Sequence, residues 1–145
     1  MKIAHLLAGK GDFVATVTPD TTVRDLVAAL AEHKVGALVV STDGRTIEGI
    51  VSERDVVRAL HQRGADLLIA PVIEIMTAQV SCTTADAGVD NLMALMTDQR
   101  IRHVPVVDED NHLTGIVSIG DLVKSRLGEL EGEREALIEY ITAGR

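Results

Sequence analysis

The sequence predicts a mixed α/β fold of the α+β kind: two β-α-β-β-α repeats, followed by a C-terminal helix. Three observations carry this. The chain matches itself without a gap when displaced by 66 residues. In each copy the apolar residues follow strand and helix periods in the same order. Each copy also ends strand-turn-strand-helix, which excludes a doubly wound sheet, where single helices join successive strands. Two copies are too few for a solenoid, so the halves are expected to close on one another as a pseudo-symmetric pair.

The composition allows this. The 145 residues carry a net charge of −8, and 46% are hydrophobic, which rules out a disordered chain and is enough for a real core. An acidic chain is a poor partner for nucleic acid or an anionic membrane, since both select clustered Lys and Arg. Phe13 and Tyr140 are the only aromatics, so stacking platforms for single strands are absent. A lone cysteine, Cys82, excludes an internal disulfide and a multi-cysteine zinc site. The longest uncharged apolar run, Leu67 to Ile73, spans seven residues and contains Pro71. A membrane helix needs about 20. The N-terminus lacks a signal-peptide core, and a cytoplasmic location is expected.

Displacement by 66 superposes Val14–Leu60 on Val80–Arg126. The expected organisation is a first repeat over 1–62, a linker over 63–71, a second repeat over 72–127 and an acidic helical tail over 128–145. A short apolar turn leads each copy, Ile3-x-x-Leu6-Leu7 and Val72-x-x-Ile75-Met76, with Gly9-Lys10-Gly11 as extra residues in the first. Strands are predicted at Val14–Val17 and Val80–Thr83. The first helix of copy one starts after Thr22, with Val23, Leu26, Val27 and Leu30 on one face; Val89, Leu92, Met93 and Met96 repeat the pattern. Ala37–Val40 pairs with Ile47–Val51 across Asp43-Gly44, and His103–Val107 with Leu113–Val117 across Glu109-Asp110-Asn111. Pro105 cannot donate to a ladder and suggests an edge or a strand start. Closing helices follow at Glu53–Gln62 and Ile119–Leu127.

The chemistry concentrates where the last strand of each copy meets its helix, at Gly49-Ile-Val-Ser52-Glu-Arg-Asp55 and Gly115-Ile-Val-Ser118-Ile-Gly-Asp121. Free N–H groups and the positive end of the helix dipole favour an anion there. A hydroxyl can add a phosphate contact, and a carboxylate one turn on can accept from two ribose hydroxyls. The same spacing also makes a capping box, and Thr22-Val-Arg-Asp25 shows that spacing at an ordinary helix start. Both readings stand at this point.

The ordered set of motifs, present twice, resembles the cystathionine-β-synthase-type (CBS) domain. It comprises the lead turn ending Ile75-Met76, the strands Val-Gly-Ala-Leu-Val-Val and Ile-Arg-His-Val-Pro-Val-Val-Asp, and two Gly-x-x-Ser-x-x-Asp junctions over residues 3–127. The resemblance implies a stand-alone tandem pair, packed as a disc about a pseudo-two-fold axis, with two clefts for adenosine-containing ligands such as AMP, ATP or NAD(H). It implies that Asp55 and Asp121 hold ribose, and that Ser52 and Ser118 face phosphate. One base would lie among Gly36, Ala37, Leu38, Thr83 and Thr84. The other would lie among Arg102, His103, Val104 and the loop from Thr18 to Thr22. Arg54 in one cleft and Arg102 with His103 in the other are the candidate phosphate-contacting cations. The near-absence of aromatics fits an adenine gripped by aliphatic side chains.

No catalytic or metal-binding set is expected. The five histidines form no i, i+4 pair or Cys/His cluster, and neither junction serine lies in a nucleophile elbow. In the tail, Leu127, Leu130, Arg134, Leu137 and Ile141 fall at heptad spacing. That helix either closes over its own domain or pairs in a homodimer, the option the resemblance favours. The expected function is a non-enzymatic nucleotide sensor acting in trans on an unidentified protein. The rivals are a ligand-free structural dimer and, further off, a nucleotide-processing enzyme.

Overall fold

The structure is a computed structural model that describes residues 1–10 and 14–143. Gly11 and Phe13 lie outside the described residues. The first half contains α1 (Ile3–Lys10), β1 (Thr16–Val17), α2 (Val23–His33), β2 (Ala37–Val40), β3 (Gly49–Ser52) and α3 (Glu53–Arg63). Short 3-10 turns at Gly64–Ile69 and Val72–Glu74 lead to β4 (Thr83–Thr84), α4 (Val89–Gln99), β5 (His103–Val107), β6 (Leu113–Ser118) and α5 (Ile119–Ala143). Each half holds a three-stranded sheet, ordered β1-β2-β3 and β4-β5-β6, with one parallel and one antiparallel pairing.

The local signals act as their chemistry requires. Thr22 caps α2 by accepting the Asp25 N–H at 3.2 Å, and Val23, Leu26 and Leu30 are buried beneath it. The helices α2 and α4 end on the equivalent residues Lys34 and Arg100, both in the left-handed region at φ 55°. Each returns its N–H to the last turn, the job usually given to glycine. The β2–β3 turn is held by the Asp43 carboxylate, which accepts the N–H groups of Arg45 and Thr46 at 2.8 and 2.7 Å. Those bonds hold its pKa well below the usual carboxylate range.

Four local expectations change. β1 and β4 are shorter than predicted and displaced toward their C-terminal ends. Val80 and Ser81 leave the sheet and wall a cavity instead. Pro105 lies within the central strand, not at an edge. Arg102 O accepts from Ile119 N, so residues 102, 104 and 106 bond toward β6 and the Pro105 nitrogen faces the other side. There β4 begins only opposite Val106, so no ladder partner is lost. The β3 strand starts at Gly49, with Ile47 outside it. Finally, α5 runs 25 residues through Gly128 without a break.

The lead segments cross between the halves. Ile3 is fully buried among Val89, Leu92, Met96 and Leu122 of the second half, and Ile3 N donates to Ala87 O at 3.0 Å. Val72 lies in the first core with Leu26, Leu38 and Val51, and its N–H donates to Thr21 O at 2.7 Å. Leu67 and Ala70, expected to be linker, are buried against Val23 and Ala59. Each half is therefore completed by chain belonging to the other repeat, which makes the pair one cooperative body. The crossing also explains the junction glycines. A Cβ on Gly49 would sit 2.6 Å from Met76 Sδ, and one on Gly115 would sit 2.6 Å from Leu7 Cδ2. Leu7 and Met76 are the equivalent last residues of the two lead turns.

Candidate functional site

Both strand-to-helix junctions form complete capping boxes. Ser52 N donates to Asp55 Oδ2 at 2.9 Å, and Asp55 N donates back to Ser52 Oγ at 3.3 Å. The counterparts at Ser118 and Asp121 are 2.8 and 3.2 Å. Among the described residues, Thr22 and Asp25 make only the hydroxyl half of this arrangement. The first helical N–H is also taken, since Glu53 N donates to Gly36 O at 2.9 Å and Ile119 N to Arg102 O at 2.8 Å. The junctions thus bind their own chain first. What differs is what stands in front of each aspartate.

In front of Ser52 and Asp55 lies a cavity of about 910 Å³, within the range of small-molecule sites. Of the predicted residues it gathers Gly36, Ala37, Ser52, Arg54, Asp55, Arg102 and His103. Arg102 and His103, expected with the Asp121 junction, are held to it by the backbone, His103 pairing with Ser118 and Arg102 O accepting from Ile119 N, and they also line the Asp55 cavity. The cause is a large-for-small exchange across the pseudo-two-fold. Gly36 and Ala37 stand where the second copy has Arg102 and His103. A Cβ on Gly36 would come 3.2 Å from the His103 ring, so a larger residue there would press the ring aside by a few tenths of an ångström.

Four arginines line this cavity: Arg54, Arg58, Arg100 and Arg102. Among the described residues none of them enters a salt bridge; the three present are Lys10–Asp121, Arg63–Glu74 and Arg126–Glu129. A smaller adjoining hollow of about 360 Å³ shares Arg54, Arg100 and Arg102. Two acids, Glu53 and Asp55, face the same space. Asp55 uses Oδ2 for its cap, and Oδ1 carries no hydrogen bond among the described residues. Ile50, Val80 and Ile101 supply an aliphatic wall. Burial pushes the His103 imidazole below its ordinary pKa; Glu53 and Asp121 oppose this, while Lys10 and Arg102 reinforce it. His103 is therefore a neutral hydrogen-bonding group near pH 7.

The second junction is different. Lys10 Nζ donates to Asp121 Oδ2 at 2.7 Å and to Ile116 O at 2.8 Å. Half-burial alone would push the Asp121 carboxyl up, but the Lys10 and Ser118 hydrogen bonds hold it below its ordinary value.

The other predicted residues have structural places. Leu38 and Val104 are core. Thr22 is a helix cap, Thr18 and Thr84 bind the aspartates two residues on, and Thr83 pairs with Val106. Sequence reasoning missed Arg58, Arg100 and Lys10. Arg58 stands four residues after Arg54, a same-face spacing legible in the sequence. Arg100 and Lys10 enter through long-range packing, which no spacing signals.

The CBS-domain family model matches this chain twice, at residues 12–62 and 72–128. The mitochondrial CBS domain-containing protein CBSX3 of Arabidopsis thaliana is 40% identical over 131 residues, covering 88% of this chain and 63% of the relative. This chain thus spans less than two thirds of that relative's length. A solved CBS-domain-containing protein from Agrobacterium tumefaciens is 42% identical with a TM-score of 0.82, covering 87% of this chain and 99% of that one. A CBS domain protein from Pyrobaculum aerophilum complexed with AMP is 30% identical with a TM-score of 0.74, covering 83% and 89%. The CBS-domain pair of protein MJ0100, in complex with 5′-methylthioadenosine and S-adenosyl-L-methionine, is 26% identical with a TM-score of 0.76, covering 88% and 98%.

Proposed function

This chain belongs to the CBS-domain family, and on that premise we propose that it is a non-catalytic regulatory module whose Ser52–Asp55 cavity binds an adenosine nucleotide. The observation that carries this is four arginines around one cavity, none in a salt bridge among the described residues, in a chain of net charge −8. Cations gathered against the sign of the whole protein favour a phosphate-bearing ligand. They disfavour a cationic sulfonium such as S-adenosyl-L-methionine, and so point toward ligands of the AMP, ATP or NAD(H) kind. In this reading Asp55 Oδ1 accepts ribose hydroxyls, Arg54, Arg58, Arg100 and Arg102 surround the phosphates, and the base lies on Ile50, Val80 and Ile101. The Ser52 hydroxyl accepts the Asp55 N–H in its cap and donates to the Asp55 carboxylate at 3.1 Å, which suits a positioning role and not a nucleophile.

Ligand binding would act on a separate protein by changing the packing of the halves or of two copies. Such control requires the ligand to bind one packing state better than the other. A homodimer is part of the proposal. Leu127, Leu130, Leu137, Ile138 and Ile141 of α5 are exposed, and beyond Glu129 every described residue of that helix is exposed. The tail therefore does not close over its own domain, and a second copy is the partner that fits. A cytoplasmic setting belongs to the same reading, and the free Cys82 fits a reducing compartment.

Thermal unfolding against AMP, ADP, ATP, NAD, NADH and S-adenosyl-L-methionine tests it. A ligand at 100 times its dissociation constant adds about 2.7 kcal/mol. The expected result is a shift with a phosphate-bearing ligand that Asp55→Ala and Arg54→Ala each remove. No shift with any ligand at millimolar concentration overturns the reading and leaves the ligand-free structural dimer.

A further inference from the structure

The two junctions are equivalent in sequence, and the cavity described above lies in front of the first. The other already holds a cation from its own chain. Lys10, the last residue of α1, reaches across 111 positions to Asp121 Oδ2 at 2.7 Å and also donates to the Ile116 carbonyl at 2.8 Å. One acceptor lies in β6, two residues before Ser118, and the other in the capping box. The ammonium is tied to the junction by two acceptors, with its own side chain 37% and that of Asp121 26% exposed. Among the described residues the first junction has no such cation, and the lead turn of the second repeat lacks the three extra residues that carry Lys10 in the first. The residues Gly9-Lys10-Gly11 that supply the cation are the insertion by which the first lead segment exceeds the second.

Asp121, like Asp55, leaves Oδ1 without a hydrogen bond among the described residues, but the Lys10 ammonium on Oδ2 neutralises the carboxylate and weakens it as an acceptor for a ribose diol. We propose that Lys10 is a built-in occupant of the Ser118–Asp121 junction, so that each chain binds one nucleotide, at Ser52–Asp55, until Lys10 is withdrawn. This rests on the nucleotide reading above and adds the asymmetry to it. Because Lys10 closes α1, whose Ile3 anchors the second core, withdrawal of the plug is coupled to movement of the lead helix.

Isothermal titration with AMP and with ATP tests the proposal on the full chain, as wild type, Lys10→Met and Lys10→Met/Asp121→Ala. Wild type is expected to bind one equivalent. Lys10→Met keeps the length of the stem, removes the charge and is expected to bind two. Asp121→Ala in that background returns the count to one. A carbon-13 titration of the Asp121 carboxyl reads the contact without any ligand: its midpoint rises in Lys10→Met. Two equivalents on wild type, or one on Lys10→Met, overturn the plug while sparing the nucleotide reading. No binding to any of the three overturns both. An unmoved Asp121 midpoint shows that the ion pair does not form in solution, and it also overturns the plug.

Discussion

Gly49 and Gly115 occupy equivalent positions, but alanine should not cost the same at the two. At Gly49 the new Cβ lies 2.6 Å from Met76 Sδ, 3.1 Å from Met76 Cγ and 2.9 Å from the Thr77 carbonyl oxygen. Met76 can swing away, but Thr77 is pinned by reciprocal backbone bonds with Ile50 at 3.0 and 2.9 Å. At Gly115 the close atoms all belong to the Leu7 side chain, with Cδ2 at 2.6 Å and Cδ1 at 3.4 Å. A rotamer change of a half-buried leucine clears them. Overpacking a core costs typically about 1–3 kcal/mol. Gly49→Ala should therefore lie near the upper end, about 2–3 kcal/mol, and Gly115→Ala at about 1 kcal/mol or less. For a chain of this length those values correspond to roughly 5–10 °C and 2–4 °C in Tm. Urea unfolding followed by circular dichroism measures both. A double-mutant cycle adds the mechanism: Met76→Ala relieves only part of the Gly49→Ala penalty, whereas Leu7→Ala removes the Gly115→Ala penalty. Equal costs at the two glycines, or complete rescue of Gly49→Ala by Met76→Ala, would refute the reasoning that backbone rigidity sets the difference.

Other outcomes are expected. Lys34→Gly should stabilise the protein by about 0.5–1 kcal/mol, because glycine takes the left-handed cap without the Cβ penalty; chemical denaturation checks this. His103 has a folded pKa below its ordinary 6.5. The unfolded chain therefore takes up the proton first, and stability is full above that value and falls as pH drops from there through the folded pKa. His103→Gln should flatten this part of a Tm-against-pH curve, and an unchanged slope counts against the burial argument. Leu137→Glu with Ile141→Glu should convert a dimer to a monomer in light scattering while leaving the far-UV circular dichroism of the folded chain unchanged, since both side chains are exposed within one copy; a dimer that persists places the interface elsewhere.

Much of the fold was legible because its signals are local. The start of α2 after Thr22, the strands Ala37–Val40 and His103–Val107, and both hairpins follow from caps, side-chain period and turn residues a few positions apart. The Ser-x-x-Asp junctions were visible for the same reason, and the structure shows that they are capping boxes whatever else they bind. Spacing could not show that β1 and β4 would shrink, because strand length there depends on how far the neighbouring strand extends.

The sequence by itself determined the repeat, the order of elements and the pair of junctions, since each is written in short-range periodicity and capping chemistry. Only the tertiary structure decided that each lead segment completes the opposite half, and that Gly36 yields space to His103. It alone brought four arginines around the Asp55 cavity and set Lys10 on Asp121. The physical reason is range. A helix cap is chosen by residues three apart, whereas the occupant of a junction is chosen by which charged side chain the packed core carries to it, here from 111 residues away.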